Sequence, residues 1–193
     1  PPPPPGGWGG RVHPARPPGL PVRRTQTYPG RMDTADLPDL PAPEDRTATA
    51  SRRVEAPAGV VFELIADPSR QPEWDGNDNL AQSEAGQRVT AVGDVFVTTL
   101  RKGVDRTNHV VEFEEGRRIA WKPAEVGGEP FGQLWRWEVE GDDDGGCRVA
   151  HTYERAQLTD PQRIRRALRT GPEQLRASID RLAALAEAEA REA

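Results

Sequence analysis

The spacing of hydrophobic residues changes along the chain, from a helical period to a strand period and back to a helical one. A short strand is predicted at residues 52–56. Pro57 then begins an amphipathic helix that runs to Ile65, because its apolar residues recur about every 3.6 positions. A second short helix or turn is predicted at residues 69–74.

From Leu80 onward apolar residues alternate with polar ones, which is the period of a strand. Turn-forming glycines such as Gly93, Gly103 and Gly116 separate the alternating runs, and the connections between them are short. We therefore predict an antiparallel meander of six strands. They cover residues 80–84, 94–101, 107–114, 118–122, 133–140 and 147–155.

An apolar stripe at helical spacing closes the chain. Asp160 is a favourable helix N-cap and Pro161 a favourable first residue, and the stripe that follows over 164–185 predicts one long C-terminal helix. Pro172 removes a backbone donor from this helix, so a kink is expected there. The tail of alternating Ala and Glu at 183–193 is expected to fray into solvent.

Proline content separates a leader from a domain. Residues 1–45 hold 13 of the 20 prolines and 6 of the 19 glycines and lack an apolar period, so they predict a disordered leader, whereas residues 46–193 have the composition of one globular domain. Residues 1–31 contain five arginines and no acidic residue, and Met32 is the only methionine. One hypothesis is that translation begins at Met32 and that residues 1–31 are not part of the native protein. The alternative is a basic, proline-rich arm that binds a partner.

Charge and hydropathy argue against several classes of function. The chain has 26 Lys and Arg against 31 Asp and Glu, a net charge of -5, and no basic stripe, so nucleic acid is not an expected partner. No run of about 18 apolar residues is present, so no membrane insertion is expected. Cys147 is the only cysteine, which fits a cytoplasmic protein without a disulfide. No phosphate loop or metal-ligand spacing is present, so neither a cofactor nor a metal is expected. A monomer and a homodimer are both compatible with the sequence.

One face of the predicted strands collects aromatic residues, histidines and a tyrosine. In the strand at 94–101, alternation does not decide between an inner face with Phe96 and one with Arg101. Polar rings in a solid core need partners, since an unpaired buried polar group costs about 1–3 kcal/mol. A cavity filled with water or ligand removes that cost, so we expect a cavity on this face. Its side chains come from the predicted inner face: His109, Phe113, Trp121, Trp135, Trp137, His151 and Tyr153.

The order of the elements and several short motifs resemble the SRPBCC superfamily, the START-like helix-grip fold shared with the birch-pollen allergen family. The motifs lie at residues 54–68, 72–74, 117–121, 135–137 and 151–153, and the third is similar to the polyketide cyclase/dehydrase branch. This resemblance implies an α+β helix-grip fold. In such a fold a curved antiparallel sheet wraps around a long C-terminal helix, and two short helices follow the first strand.

The resemblance also implies a cavity between sheet and helix, and it leaves three functions open. In the first, the protein binds a small hydrophobic or aromatic ligand, lipid-like or polyketide-like, against Trp74, Arg101, Phe113, Trp121, Trp135 and Trp137. In the second, it is a polyketide cyclase or dehydratase in which His151, Tyr153 and His109 exchange protons with the substrate. In the third, it is a protein-interaction module of the co-chaperone type. The sequence does not decide whether any reaction is catalysed.

Overall fold

The computed structural model describes residues 40–192, and these form seven strands and four α-helices. The strands are β1 Thr47–Val54, β2 Leu80–Ser83, β3 Val95–Leu100, β4 Asp105–Glu114, β5 Arg118–Ala124, β6 Leu134–Gly141 and β7 Cys147–Glu154. The helices are α1 Ala58–Ala66, α2 Gln71–Trp74, α3 Pro161–Ala167 and α4 Pro172–Glu192. Residues 1–39 of the predicted leader, and with them the proposed start at Met32, lie outside the described residues.

The strands form one curved, open sheet in the order β1-β7-β6-β5-β4-β3-β2, with every neighbouring pair antiparallel. Strands β2 to β7 follow one another as the predicted meander, and β1 pairs with β7 along its whole length, from Thr47 opposite Glu154 to Val54 opposite Cys147. Helix α4 packs against β1 and β7 on the inner face, and α1 and α2 pack against α4. The predicted helix-grip fold is confirmed.

The C-terminal helix differs from its prediction at two points. Asp160 caps α3 through a 2.7 Å bond from the Arg163 amide, as expected, but the kink is a complete break between α3 and α4, because Pro172 cannot continue the preceding turn. The prediction of a frayed tail is wrong. Helix α4 runs to Glu192, and the small side chains of Ala183 and Ala186 are buried because they let the helix approach the core closely.

A β-bulge in β4 overturns part of the predicted alternation. Val110 pairs with Trp121 and Glu112 pairs with the adjacent Ala120, so Val111 is an extra residue without a partner in β5. Before the bulge Asn108 and Val110 face inward, and after it Phe113 does. The predicted inward face of His109 and Val111 is therefore wrong, since the alternation was counted back from Phe113 through a residue that does not alternate.

In the remaining strands, the burial of the side chains shows which face points inward. Phe96 and Thr98 of β3 are buried while Val95 and Val97 are exposed, so Arg101 belongs to the outer side. The alternation predicted for β6 and β7 is confirmed on the inner face, where the buried side chains are Trp137, Val139, Cys147, Val149, His151 and Tyr153.

Two hydrophobic clusters occupy the space between the sheet and the helices. The larger joins α1, α4 and the middle of the sheet. The smaller lies under α3, and its buried members are Ala48, Tyr153, Leu158, Ile164, Ala167 and Leu175. Within residues 40–192 no helix combines the length and the apolar character needed to cross a bilayer.

Candidate ligand-binding site

A cavity of about 170 Å³ lies on the inner face of the sheet, next to α2 and α4. Its wall is built from inward-facing residues of β3 to β7, from α2 with the loop that follows it, and from Ser178 of α4. The loop reaches α4 at Gly76, whose amide donates a 2.8 Å hydrogen bond to the Ser178 hydroxyl. A side chain at Gly76 would meet the Gln174 carbonyl oxygen at 2.4 Å, so only glycine permits this approach.

Four tryptophans give the cavity most of its apolar surface: Trp74, Trp121, Trp135 and Trp137. Trp74 meets Trp137 edge to face, with ring centroids 5.1 Å apart, and its indole N–H donates to the Leu64 carbonyl at 3.0 Å. Trp121 meets Phe96 edge to face at 5.5 Å. These contacts fix the rings in orientations that leave part of each one facing the cavity.

Three buried side chains of the wall carry polar atoms without a hydrogen-bond partner among the described residues. They are the side-chain nitrogens Gln71 Nε2 and Trp137 Nε1 and both ring nitrogens of His151. Gln71 and His151 are each 3% exposed and Trp137 is 1% exposed. Proteins rarely leave such atoms unpaired, and all three side chains line the same cavity, so a molecule bound there is a candidate partner for them.

The carboxylate in the cavity wall, that of Asp75, is in contrast fully hydrogen-bonded within the chain. The carboxylate of Asp75 accepts hydrogen bonds from the backbone amides of Asn77, Asn79 and Leu80, at 3.0–3.2 Å. These bonds close the loop between α2 and β2. Asp75 therefore shapes the cavity rather than offering a free carboxylate to a ligand.

His151 is neutral in the folded protein. Its ring stacks on Trp137 with centroids 3.7 Å apart, and burial lowers the pKa of His151 from 6.5 to about 3, because the charged form loses its hydration. The nearby backbone of Leu175 raises the pKa of His151 in part. Neither ring nitrogen, however, has a partner at the distance and angle of a hydrogen bond. A neutral imidazole offers one donor and one acceptor to the cavity.

Known proteins share this architecture and part of this sequence. Residues 45–187 match the family described as polyketide cyclase/dehydrase and lipid transport. The chain belongs to this family. The uncharacterized protein Rv0088 of Mycobacterium tuberculosis is 28% identical over 153 residues, which are 76% of this chain and 62% of that protein. The chain thus spans about three-fifths of the length of the curated relatives that it matches.

Solved structures of the same fold are more distant in sequence. Protein NE0264 from Nitrosomonas europaea has a TM-score of 0.57 at 15% identity, covering 78% of this chain and 99% of that one. DynU16, from the dynemicin biosynthetic locus, has a TM-score of 0.54 at 17% identity, covering 76% of this chain and 49% of its own. These likenesses confirm the helix-grip fold of the polyketide cyclase/dehydrase family.

The structure brings five of the predicted site residues of this family member together. Trp74, Trp121, Trp135, Trp137 and His151 all line the cavity. The placement of the four strand residues agrees with the predicted inner face, and the role of all five in binding a ligand stays a prediction.

Tyr153 does not join His151 in the cavity, although the two share a face of β7. Its ring stacks on Trp135 at 3.7 Å and is buried in the cluster under α3. Burial raises the pKa of Tyr153 to about 12. The predicted pair of His151 and Tyr153 is therefore not assembled, because Trp135 stands between Tyr153 and the cavity.

Three other predicted residues also lie away from the cavity wall. The bulge turns His109 to the outer face of the sheet, where it pairs with Val95 and Lys122. Arg101 is exposed in the turn after β3. Phe113 packs edge to face on Phe62, with centroids 6.2 Å apart, and belongs to the solid core.

Sequence reasoning missed much of the polar part of the wall. Gln71 stands three positions before Trp74, a spacing that puts both on one face of a helix and could have identified it. The bulge prevented the identification of Asn108 and Arg106 from the sequence. Thr98 was not identified because the inward face of its strand was undecided. Asn108 donates to Thr98 Oγ1 at 3.2 Å, so this part of the wall is internally paired.

Cys147 and the acidic loop after β6 offer no chemistry to the site. Cys147 is fully buried, and burial raises the pKa of its thiol to about 11, which disfavours the thiolate. Asp142 accepts hydrogen bonds from Arg53 and from the amides of Asp144 and Gly146, so it stabilises the turn. Among residues 40–192 no three His, Cys, Asp or Glu side chains are grouped as metal ligands.

Proposed function

We propose that the protein binds a small aromatic ligand whose oxygen atoms accept hydrogen bonds from the cavity wall. The observation that carries this proposal is that Gln71, Trp137 and His151, which each have unpaired buried polar atoms, line one cavity together with three further tryptophans. Gln71 and Trp137 offer N–H donors, and His151 offers either a donor or an acceptor. A carbonyl or hydroxyl group on an aromatic ring matches this set.

The size of the cavity limits the ligand. An apolar cavity of about 150 Å³ is enough to hold benzene, whereas pockets for drug-sized ligands measure about 300–1,000 Å³. At about 170 Å³ the cavity accommodates one substituted ring, not a sterol or a fused polyketide of several rings. We therefore propose a single-ring ligand, or one ring of a longer molecule that extends through the cavity mouth.

The test is a titration with single-ring phenols and aryl ketones, for example para-hydroxyacetophenone, followed by the fluorescence of the cavity tryptophans. Gln71→Leu keeps the volume of the side chain and removes its donor, so it is expected to weaken binding about three- to tenfold. Tyr153→Phe is the matched control, because it removes one polar group from the neighbouring cluster outside the cavity. Absence of saturable binding across the panel, or equal losses in both variants, would contradict the proposal.

A cyclase or dehydratase activity is the second candidate, favoured by the unpaired nitrogens of His151. Such a reaction needs a base strong enough to remove a proton next to a carbonyl. A pKa of about 3 makes His151 a weak base at neutral pH, and Tyr153 is too far from the cavity to assist. These two facts favour binding over catalysis. Loss of water from a poly-β-ketone substrate, detected by mass spectrometry and abolished in His151→Ala, would reverse this preference.

A protein-interaction module of the co-chaperone type has less support. Such a module acts through its surface and needs no cavity between the sheet and the C-terminal helix. The open volume between sheet and helices, with unpaired polar atoms around it, favours a small ligand over this alternative.

A further inference from the structure

Two arginines share one aromatic ring beside the cavity. The guanidinium carbon of Arg163 lies 3.5 Å from the centroid of the Phe131 ring, and that of Arg106 lies 5.5 Å from the same centroid. Stacking on an aromatic face restrains a guanidinium while leaving its N–H groups free in the plane. The two cations are therefore held close together by a neutral group.

Neither of these arginines forms an ion pair with a carboxylate among residues 40–192. Nine other arginines of residues 40–192 do form such ion pairs. Arg136 binds both Glu112 and Glu154, and Arg88 binds both Glu63 and Glu115. The positive charge of Arg106 and Arg163 is thus left for a partner outside the described chain.

One of the two arginines lies in the cavity wall, and the other reaches the same Phe131 ring from outside it. Arg106 lines the cavity directly, as do Pro123 and Gln133. The amide of Phe131 donates to the Pro123 carbonyl at 3.1 Å, which fixes the shared ring next to that wall. Arg163 enters from α3, a separate element, so the rim is assembled only in the folded protein.

We propose that Arg106 and Arg163, gathered on Phe131, form a subsite for an anionic group of the ligand, a carboxylate or a phosphate. This inference rests on the proposed function and extends it: one oxygen-bearing ring lies inside the cavity, and a negatively charged substituent reaches its rim. Planar guanidinium groups bind both anions through paired N–H donors. The subsite would select charged ligands and orient them in the cavity.

Three probes with the same ring separate this subsite from the cavity itself. They are para-hydroxyphenylpropanol, which is neutral, para-hydroxyphenylpropanoate, and para-hydroxyphenylethyl phosphate. At low ionic strength at least one anionic probe is expected to bind about fivefold or more tightly than the neutral one, and the advantage should shrink as salt is added. Whichever anion gains more identifies the group that the subsite prefers.

Arg163→Gln is expected to remove most of the anion's advantage while leaving the affinity for the neutral alcohol unchanged. Arg106→Gln is expected to remove the advantage as well, and because Arg106 lines the cavity, its effect is measured as the ratio of anionic to neutral affinity. Arg169→Gln is the matched control, because Arg169 is exposed, lies just past the end of α3 and does not line the cavity. Thermal unfolding of each variant checks that the fold is retained, and Arg163→Gln tests the subsite without altering the cavity wall.

Three results overturn the inference, and they are distinguishable. Equal binding of the neutral and anionic probes, with the Gln71→Leu effect intact, removes the subsite and leaves the proposed function standing. Loss of anion preference in Arg169→Gln as large as in Arg163→Gln assigns the effect to net charge and also removes the subsite. Failure of all three probes to bind overturns the proposed function and this inference together.

Discussion

Two stacked pairs lie side by side on strands β6 and β7, and they differ in their surroundings. Trp137 stacks on His151 and Trp135 stacks on Tyr153, each pair with ring centroids 3.7 Å apart. Their backbone positions are equivalent, because each pair joins directly opposite residues of the two strands. Both residues of the first pair line the cavity and together carry three unpaired ring nitrogens, while Tyr153 is covered by the side chains under α3.

This difference shows that the alternation of a strand determines which face a side chain lies on but not what that side chain contacts there. Alternation puts His151 and Tyr153 on one face, and packing from α3 then encloses Tyr153 while leaving His151 beside open space. Ile164 and Ala167 of α3 pack in the cluster with Tyr153, together with Leu175, which lies after the break at Pro172.

The largest expected effect comes from truncating the two tryptophans. Trp137 is 1% exposed, so Trp137→Ala is expected to lower the free energy of unfolding by about 3–5 kcal/mol. Trp135 is only partly buried, and Trp135→Ala should cost roughly half as much. Urea unfolding followed by far-ultraviolet circular dichroism measures both. Equal losses would mean that the two pairs are equally part of the core.

A smaller effect should appear on acidification. The pKa of His151 is lower in the folded state than its ordinary value of 6.5, so the unfolded chain takes up the proton first. The stability due to the neutral ring is present above that value and is lost as the pH falls toward 3. Between pH 8 and pH 5 this amounts to about 2 kcal/mol.

His151→Phe keeps an aromatic ring on Trp137 and removes the titration. The free energy of unfolding of this variant should therefore fall less than that of the wild type over the same interval, by the stated difference. Parallel curves for the two proteins would show that His151 is protonated as readily in the folded state as in the unfolded chain.

The smallest effect is expected at the other pair. The Tyr153 hydroxyl donates and accepts no hydrogen bond within residues 40–192, so Tyr153→Phe should change the free energy of unfolding by less than about 0.5 kcal/mol. Chemical denaturation of both proteins at one pH is the measurement. A loss above about 1 kcal/mol would indicate a hydrogen bond from this hydroxyl through ordered water.

The fold was largely accessible from the sequence, because period and turn residues are local signals. The six strands predicted from Leu80 onward all exist, with bounds that differ by at most two residues. Trp121, Trp137 and His151 were placed on the correct face, since no extra residue interrupts β5, β6 or β7. The family resemblance supplied the way these elements assemble around α4.

The errors at the site arise from features that no local pattern reports. The placement of His109 failed because one extra residue in β4 reverses the count. Arg101 was misplaced because alternation leaves the inward face of its strand undecided, and Phe113 because its contact with Phe62 of α1 puts it in the core. Gln71 is the exception, because its spacing from Trp74 is a local signal, although a one-turn helix shows that spacing only once.

The bulge at Val111 has a consequence for related chains of different length. Inserting or deleting one residue within a strand normally sends every following side chain to the opposite face. Here removal of Val111 would instead restore a regular ladder in which Val110 and Glu112 are neighbours and both keep their partners in β5. A homologue one residue shorter at this point would retain Asn108 in the cavity wall and Phe113 in the core. A gap there marks no change of architecture.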